Sequence, residues 1–242
     1  MLSGGAVVGA VAHGKQARGG LLTPAHSFAT ARWYSPVPGR FRLGCPAPRR
    51  APRRHGPHRR RLVALTFDDG PSSFTPRVLR SLRRRRANAT FFVLGMNIAG
   101  RQSTLRRAVA DGDELGDHSW SHPPLPSRWE LRRTRDALTH ATGRPPCVFR
   151  PPYGMIDRRL VRSAAGLGMT TVRWDVDTAD YLRLPPKAIA RLVLSDIRPG
   201  SIVLMHDGGG VRARTVRALP RILRGLRRRG YAPTTVSRLL AR

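Results

Sequence analysis

Short apolar runs alternate with stretches of helical periodicity from residue 62 to the end of the chain. The apolar runs predict strands at Leu62–Thr66, Ala89–Val93, Glu114–Asp117, Cys147–Arg150, Thr170–Trp174, Ser201–Met205 and Ala232–Thr235. The stretches between them predict helices at about Pro76–Arg85, Thr104–Asp111, Ser127–Thr142, Asp157–Leu167, Pro185–Asp196 and Val211–Arg229. This alternation predicts βαβ units and a mostly parallel sheet, close to a barrel but short of a full (β/α)₈ barrel.

Residues 1–61 have no sustained periodicity and are rich in Gly, Pro, Arg and His. Such a composition is typical of a disordered tail or linker. A short apolar stretch at 6–12 lacks the positive flank of a full signal peptide, and no segment reaches the roughly 20 apolar residues of a membrane span. We therefore predict a disordered basic tail over 1–61, or a signal or linker remnant, followed by one folded domain over 62–242.

The formal net charge is +31, and arginine supplies almost all of it, since Lys15 and Lys187 are the only lysines. One interpretation is binding to an anionic polymer, such as nucleic acid or a charged glycan. The other is a compositional bias that spreads arginine over solvated helix faces. Aromatic residues do not interleave with the arginines as they do on a base-stacking platform. We therefore favour the second interpretation and predict no specific nucleic-acid partner.

Two cysteines, Cys45 and Cys147, are too few to define a disulfide framework. Cys45 lies in the predicted tail and Cys147 lies in the predicted domain. A disulfide between them is one alternative, but nothing in the sequence supports it. The prediction is that each cysteine is an unpaired thiol.

Two adjacent carboxylates, Asp68 and Asp69, follow the first apolar run and precede a Gly70–Pro71 turn. Functional groups of α/β folds collect at the carboxyl ends of parallel strands. Adjacent carboxylates repel each other unless a cation or a shared proton separates their roles. The pair therefore predicts a metal, a general base or both at the rim of the sheet.

A pair of histidines, His118 and His122, follows the predicted strand at Glu114–Asp117. Histidines four positions apart lie on one face of a helical turn and can bind one ion. Together with one carboxylate they make a site with open positions that suits catalytic zinc or non-haem iron. Because the carboxylate comes first and the histidines are paired, the order favours a hydrolytic metal.

Three further strand ends carry polar groups. Arg150 precedes two prolines and Tyr153, so this segment is either a rigid loop or a site where Arg150 pairs with a carboxylate and an N–H near Tyr153 faces an oxyanion. The segment Trp174–Tyr181 contains three aspartates, which cap and solvate a loop or orient an imidazole and raise its pKa. His206 follows the apolar run 202–205 and precedes three glycines; a lone histidine there is either structural or, as the fifth polar group at a strand end, catalytic.

These five segments, in this order, resemble the polysaccharide deacetylase family, also called the NodB-homology domain or carbohydrate esterase family 4. The matching segments are Thr66–Gly70, His118–His122, Arg150–Tyr153, Trp174–Tyr181 and Leu204–His206. Five ordered motifs spread over residues 62–242 make the resemblance specific. It implies an α/β fold, a distorted (β/α)₇-type barrel, and metal-dependent removal of an acetyl group from a sugar.

The resemblance implies a division of roles within the acidic pair. Asp68 would be the general base, held in position by Arg150. Asp69, His118 and His122 would be the metal ligands, for Zn²⁺ foremost and Co²⁺ or Mn²⁺ as alternatives. The residue types suit this chemistry, because one carboxylate stays basic while the ion stabilises the charge of the other.

Other family roles fall on the strand ends farther along the chain. His206 would be the general acid, with its pKa tuned by Asp180. The backbone N–H of Tyr153 would form the oxyanion hole, and Leu204 would line the pocket for the acetyl methyl group. The family usually has Trp where this chain has Tyr181, which keeps an aromatic wall against the substrate but is smaller and adds a hydroxyl.

We therefore expect a hydrolase acting on carbon–nitrogen bonds, which removes the N-acetyl group of N-acetylglucosamine in chitin, chitooligosaccharide or peptidoglycan. An O-acetyl esterase acting on acetylated xylan is the alternative enzyme, since the same site could cleave either bond. A catalytically silent glycan- or nucleic-acid-binding protein is the third alternative, although Asp68, His118 and His206 are all present. We expect the partner to be an acetylated glycan, and the chain to be a monomer that is secreted or associated with the cell wall.

Overall fold

The computed structural model describes residues 45, 47–49 and 51–241. Their strands are β1 (Leu62–Gly70), β2 (Thr90–Val93), β3 (Glu114–Asp117), β4 (Val148–Phe149), β5 (Thr170–Thr171), β6 (Val176–Asp177), β7 (Ile202–His206) and β8 (Ala232–Thr234). Their helices are α1 (Thr75–Arg83), α2 (Gln102–Ala110), α3 (Arg128–Thr142), α4 (Arg158–Ala165), α5 (Pro186–Asp196), α6 (Ala213–Arg228) and α7 (Val236–Leu240). Residues 1–44 of the predicted tail, with their apolar stretch, lie outside the described residues.

The named strands pair in parallel, in the order β5–β4–β3–β2–β1–β7–β6, and β8 pairs with β1. The sheet curls into a half-barrel, and a helix follows each of these strands except β5, which leads directly to β6. This confirms the predicted α/β fold of the distorted (β/α)₇ type. Among the described residues, no helix combines the length and the apolar character needed to cross a bilayer.

The side chains of the central strand β1 show what lies on each face of the sheet. Successive side chains of a strand point to opposite faces. Val63, Leu65 and Phe67 therefore belong to the large core between the sheet and the helices. Thr66 and Asp68 point to the other face, where both are buried although polar. That face is the inner side of the curled sheet, and the functional side chains described below lie on it.

The observed elements follow the predicted ones, with differences at their ends. Strand β3 has the predicted bounds, whereas β1 continues four residues beyond Thr66 and ends at Gly70. Strand β6 and helix α7 were not predicted. Strand β6 has only two residues, and its pairing with β7 (Val176 with Val203) defines it rather than any local apolar run. Helix α7 is short and begins behind a side-chain cap from Thr235.

The described residues just before β1 are attached to the sheet. Arg53 forms a parallel bridge with Val172, just after β5, and His55 forms an antiparallel bridge with Ser201, just before β7. The Gly56 N–H also donates a hydrogen bond of 2.8 Å to a carbonyl beside Ser201. These partners are more than a hundred residues away along the chain, so the composition of the segment does not reveal them.

The prediction of two unpaired thiols is wrong, because Cys45 and Cys147 form a disulfide. Their Cα atoms lie 5.0 Å apart although 102 residues separate them in the sequence. Cys147 directly precedes β4, so the bond fastens the segment before β1 beside that strand. Spacing alone cannot show such a pairing, since it depends on how the fold brings two remote Cα atoms together.

Candidate active site

The acidic pair occupies the last residues of β1, where the strand is irregular. The register with β2 shifts between Asp68 and Gly70, and Asp69 has a φ of 70°. Regular alternation would direct neighbouring side chains to opposite faces, but a bulge with a left-handed residue redirects one of them. As a result both carboxylates face His118, whose Nε2 lies 3.8 Å from Asp68 Oδ2 and 3.4 Å from Asp69 Oδ1.

The loop after β7 packs directly against the acidic pair. The Asp207 N–H donates a hydrogen bond of 3.1 Å to the Asp68 carbonyl. A side chain at Gly208 would place its Cβ 1.9 Å from the Asp69 carbonyl oxygen, so only glycine fits there. From the other side, Asn97 Nδ2 donates to the same Asp69 carbonyl at 2.9 Å. The unusual backbone of the pair is therefore held from both sides.

The two histidines lie on a loop, so the predicted helical turn is wrong. Ser119 and His122 both have left-handed backbones, with φ of 70° and 67°, which a helical turn cannot contain. The Ser119 N–H donates to Asp117 Oδ1 at 2.7 Å and stabilises the start of the loop. His118 Nδ1 lies 2.7 Å from the Arg150 carbonyl, so this nitrogen carries the proton and Nε2 presents a lone pair.

Asp69, His118 and His122 bring three metal-binding atoms together. One ligand atom from each lies within 4.8 Å of the others, and both histidine Nε2 atoms lie 3.4 Å from Asp69 Oδ1. That oxygen is buried and has no hydrogen-bond partner among the described residues. Imidazole nitrogens and a carboxylate oxygen are the donors that catalytic zinc sites use. The donor set fits a divalent metal with open positions.

The pKa shifts at these donors favour forms that can bind a metal. Burial raises the pKa of Asp69, but the neighbouring imidazoles of His118, His206 and His122 outweigh it. The pKa of Asp69 is therefore well below its usual range. Burial lowers the pKa of His122, and the charge of His118 lowers it further. A carboxylate and a neutral imidazole are the protonation states that bind a metal ion.

Arg150 is fully buried and pairs with Asp68. Its Nη1 donates to Asp68 Oδ1 at 2.9 Å and to Thr66 Oγ1 at 2.6 Å, and its Nη2 donates to the Arg173 carbonyl at 3.1 Å. The guanidinium lies 4.2 Å from the centre of the Phe92 ring. Burial lowers the pKa of Arg150 and Asp68 opposes this, but a guanidinium remains charged in proteins. This pair fixes one oxygen of Asp68 and leaves the other facing His118.

His206 ends β7 and contacts Asp180 at two points. Its Nδ1 lies 2.7 Å from Asp180 Oδ1, and its backbone N–H donates to Asp180 Oδ2 at 2.9 Å. Thr215 Oγ1 also donates to Asp180 Oδ2, at 2.7 Å. Burial lowers the pKa of His206, but the hydrogen bond and charge of Asp180 outweigh it and raise the pKa. Burial raises the pKa of Asp180, and the hydrogen bond with His206 reverses this shift.

The candidate pocket residues lie around the same strand ends. The Tyr153 side chain is 66% exposed, its φ is 57°, and its ring centre lies 4.6 Å from that of His122. None of the hydrogen bonds among the described residues uses the Tyr153 N–H. Tyr181 is 47% exposed, and its ring lies edge-on to His206 at 5.8 Å. Leu204 is buried two residues before His206 and therefore on the same face of β7.

The other aspartates of the acidic segment bond to the main chain. Asp175 accepts the Ile202 N–H at 2.7 Å and the Ser201 hydroxyl at 3.0 Å, and Asp177 accepts the Ala179 N–H at 2.8 Å. Asp175 therefore holds the start of β7, and Asp177 holds a short turn before Asp180, so neither contact caps a helix. Sequence reasoning did not assign Asn97 or Thr215 to the site. Each contributes a single polar group and belongs to no recognisable motif.

Three comparisons with known proteins describe what the chain resembles. A family model described as "Polysaccharide deacetylase" matches residues 55–172. The chitooligosaccharide deacetylase of a Bradyrhizobium species is 39% identical over 191 residues, which cover 71% of this chain and 87% of the relative. The peptidoglycan-N-acetylglucosamine deacetylase of Listeria monocytogenes is 36% identical over 184 residues, or 73% of this chain. The match covers 38% of the length of that Listeria relative.

A solved structure shows that the similarity extends to the three-dimensional fold. The crystal structure of a peptidoglycan N-acetylglucosamine deacetylase, bound to 4-naphthalen-1-yl-N-oxidanyl-benzamide, superposes with a TM-score of 0.76. The two chains are 34% identical, and the match covers 79% of this chain and 93% of that chain. The sequence similarity and the structural similarity therefore extend over most of the described residues.

Proposed function

The chain belongs to the polysaccharide deacetylase family, and from this premise we propose that it is a metal-dependent hydrolase of acetylated glycans. The reaction would remove the N-acetyl group from N-acetylglucosamine residues of peptidoglycan, chitin or chitooligosaccharide. The names of the similar proteins, for peptidoglycan and for chitooligosaccharide, support both substrate classes.

One observation carries the proposal. The donor set of Asp69, His118 and His122 lies directly beside a second carboxylate, Asp68, which is paired with a buried arginine. This is the arrangement that hydrolysis of an amide needs, because one carboxylate binds a metal while the other remains available as a base. The chemistry that a bound divalent ion, Zn²⁺ foremost, supplies is polarisation of the acetyl carbonyl and acidification of an attacking water.

Asp68 is the proposed general base. Arg150 holds its Oδ1 at 2.9 Å, so the carboxylate has little freedom to rotate away from the site. Its Oδ2 lies 3.8 Å from His118 Nε2, on the side where the donor set lies. From this position the carboxylate can take the proton of a water that attacks a carbonyl bound next to the histidines.

His206 is the proposed general acid on the other side of the substrate. Asp180 raises the pKa of His206, so the imidazole stays protonated at higher pH and can give its proton to the leaving amine. The Tyr153 N–H is the proposed oxyanion donor, since the left-handed backbone of Tyr153 leaves this N–H without a partner among the described residues. Leu204 and Tyr181 would bound the pocket for the acetyl group and the sugar.

We also propose that the chain works as a monomer outside the cytoplasm, on glycan of the cell wall. The Cys45–Cys147 disulfide supports this location, because disulfides persist in oxidising compartments and are rare in the reducing cytosol. The names of the similar deacetylases, which refer to peptidoglycan, support the same location for the substrate.

Acetate release by the purified full-length chain tests the proposed function. We expect acetate from N-acetylated chitooligosaccharide and from peptidoglycan, loss of this activity after a chelator, and recovery with added Zn²⁺. Acetylated xylan serves as the comparison substrate for an O-acetyl esterase. Activity that survives complete metal removal, or release from acetylated xylan alone, would contradict the proposal.

A further inference from the structure

We propose that Glu130 is a positioning residue that holds the loop between His118 and His122 in the shape required for metal binding. Glu130 lies in the first turn of α3 and outside the five motifs discussed above. The inference rests on the proposed function in one respect, namely that the two histidines bind a metal. Glu130 contacts neither histidine, but by holding the residues between them its carboxylate sets the geometry of both.

The carboxylate of Glu130 binds the middle of the histidine loop. Its Oε2 accepts the backbone N–H groups of Trp120 and Ser121, each at 2.8 Å. Its Oε1 accepts the Ser121 hydroxyl at 2.9 Å. Two consecutive N–H groups that converge on one anionic oxygen form a strong and directional contact. The residues bound in this way are two of the three that separate His118 from His122.

This loop needs an external partner because its backbone is unusual. Ser119 and His122, on either side of the residues that Glu130 binds, have positive φ angles of 70° and 67°. A non-glycine residue in this region is uncommon and strained, and it persists only where surrounding contacts hold it. Hydrogen bonds from Gly95 and Met96 to the carbonyls of Ser119 and Trp120 hold the acceptor side of the loop. Glu130 holds the donor side.

Glu130 is itself well placed to act from the helix. The Ser127 hydroxyl accepts the Glu130 N–H at 3.4 Å, which is one half of a capping box. In a complete capping box the glutamate side chain would reach back to the N–H of Ser127. Here the side chain reaches the histidine loop instead, while the positive end of the helix dipole favours its negative charge. The helix start is thus used as an anchor for the loop.

A second contact joins the same helix to the same loop. The Arg133 guanidinium lies 3.7 Å from the centre of the Trp120 ring and 4.9 Å from that of Trp129. Trp120 also packs closely on Gly95, where an added Cβ would lie 2.2 Å from the indole. These contacts are independent of Glu130, so a variant at Glu130 should still fold and keep α3 beside the loop. What it loses is the acceptor that orients the main chain between the histidines.

The test measures Zn²⁺ affinity of the full-length chain by competition with a chromophoric chelator, together with kcat and KM on an N-acetylated chitooligosaccharide. Outer-shell partners that orient metal ligands typically change metal affinity by about 10- to 100-fold. We expect Glu130→Ala to weaken Zn²⁺ binding by about tenfold or more and to lower kcat more than it raises KM. Glu130→Gln keeps an acceptor oxygen and should recover most of the affinity.

Asp136→Ala is the matched control, since this exposed aspartate lies on the same helix and pairs only with its neighbour Arg135 among the described salt bridges. It should bind Zn²⁺ like the wild type. If Glu130→Ala folds poorly, Ser121→Ala removes one hydrogen bond and should give a smaller loss of affinity in the same direction. Wild-type Zn²⁺ affinity in both Glu130→Ala and Ser121→Ala would overturn the inference. Absence of Zn²⁺ binding by the wild type would instead overturn the proposed function.

Discussion

Asp68 and His206 are direct register partners on the adjacent parallel strands β1 and β7. Partners in a parallel ladder project their side chains from the same face of the sheet. The proposed base and the proposed acid are therefore positioned by the backbone hydrogen bonds of two central strands rather than by flexible loops. The register also explains why the loop after His206 can hydrogen-bond to the carbonyl of Asp68.

The two carboxylates of the acidic pair should respond differently to the same substitution. We expect Asp68→Asn to reduce kcat by about 100-fold or more, because the amide cannot act as a base, while Zn²⁺ remains bound. Asp69→Asn should weaken Zn²⁺ binding itself, because a charged ligand becomes neutral. Metal content after dialysis, measured beside acetate release, separates the two effects. Equal loss of metal in both variants would contradict the division of roles.

The pH dependence of activity should report the contact between His206 and Asp180. Asp180 raises the pKa of His206, and the proposed acid is active only when protonated, so activity should fall as pH rises through that pKa. In Asp180→Asn the largest contribution that opposes burial of the imidazole is lost and only the smaller ones from Asp68 and Asp69 remain, so the pKa of His206 should fall. We expect the alkaline limb of the kcat/KM profile to move to lower pH by roughly one unit or more.

Asp177→Asn is the control for this profile, because Asp177 lies three residues before Asp180 but accepts the Ala179 N–H instead of contacting His206. Its alkaline limb should coincide with that of the wild type. An Asp180→Asn profile that keeps the wild-type alkaline limb would show that a group other than His206 determines it.

Reduction of the Cys45–Cys147 disulfide should destabilise the protein. The bond closes a loop of 102 residues, and cross-links of this kind typically contribute about 2–4 kcal/mol to the free energy of unfolding. We expect denaturant unfolding to shift to lower concentration in the presence of a reductant. A Cys45→Ser, Cys147→Ser double variant should unfold like the reduced protein and should not respond to the reductant. Identical unfolding of oxidised and reduced protein would contradict this.

Asp113 should make the metal-free protein less stable as pH rises. Burial raises the pKa of Asp113 to about 7, and the charge of Asp111 adds to this against the hydrogen bond from the Ala89 N–H. The folded state therefore binds this proton more tightly than the unfolded state, whose carboxyl titrates near 3.8. The stabilising contribution is complete below about pH 3.8 and is lost as pH rises to about 7.

The variant Asp113→Asn tests this linkage, because the amide oxygen can still accept the Ala89 N–H but cannot ionise. Relative to the wild type, we expect its stability to improve between pH 5 and pH 8 by on the order of 2 kcal/mol. Urea unfolding at both pH values measures the difference. The exposed Asp136→Asn should give no such change, and parallel pH curves for Asp113→Asn and wild type would refute the assignment.

Much of the fold follows from local patterns in the sequence. The apolar runs predict strands, and the polar residues that end them, such as Asp68, His118 and His206, fall at one edge because parallel strands share the direction of their carboxyl ends. This reasoning also predicts which segments supply the site. It does not predict the two-residue strand β6, since that strand is defined by pairing with β7.

Motifs and periodicity are local, so they are enough to predict the order of the elements, the family and the residues available to the site. How those residues face one another depends on the folded chain. The bulge at Asp69, the left-handed loop of the histidines and the Cys45–Cys147 bond all depend on contacts between remote segments. Glu130 belongs to no sequence motif, and it reaches the histidine loop only because α3 packs beside that loop. Local patterns limit which residues can act, and long-range packing determines their geometry.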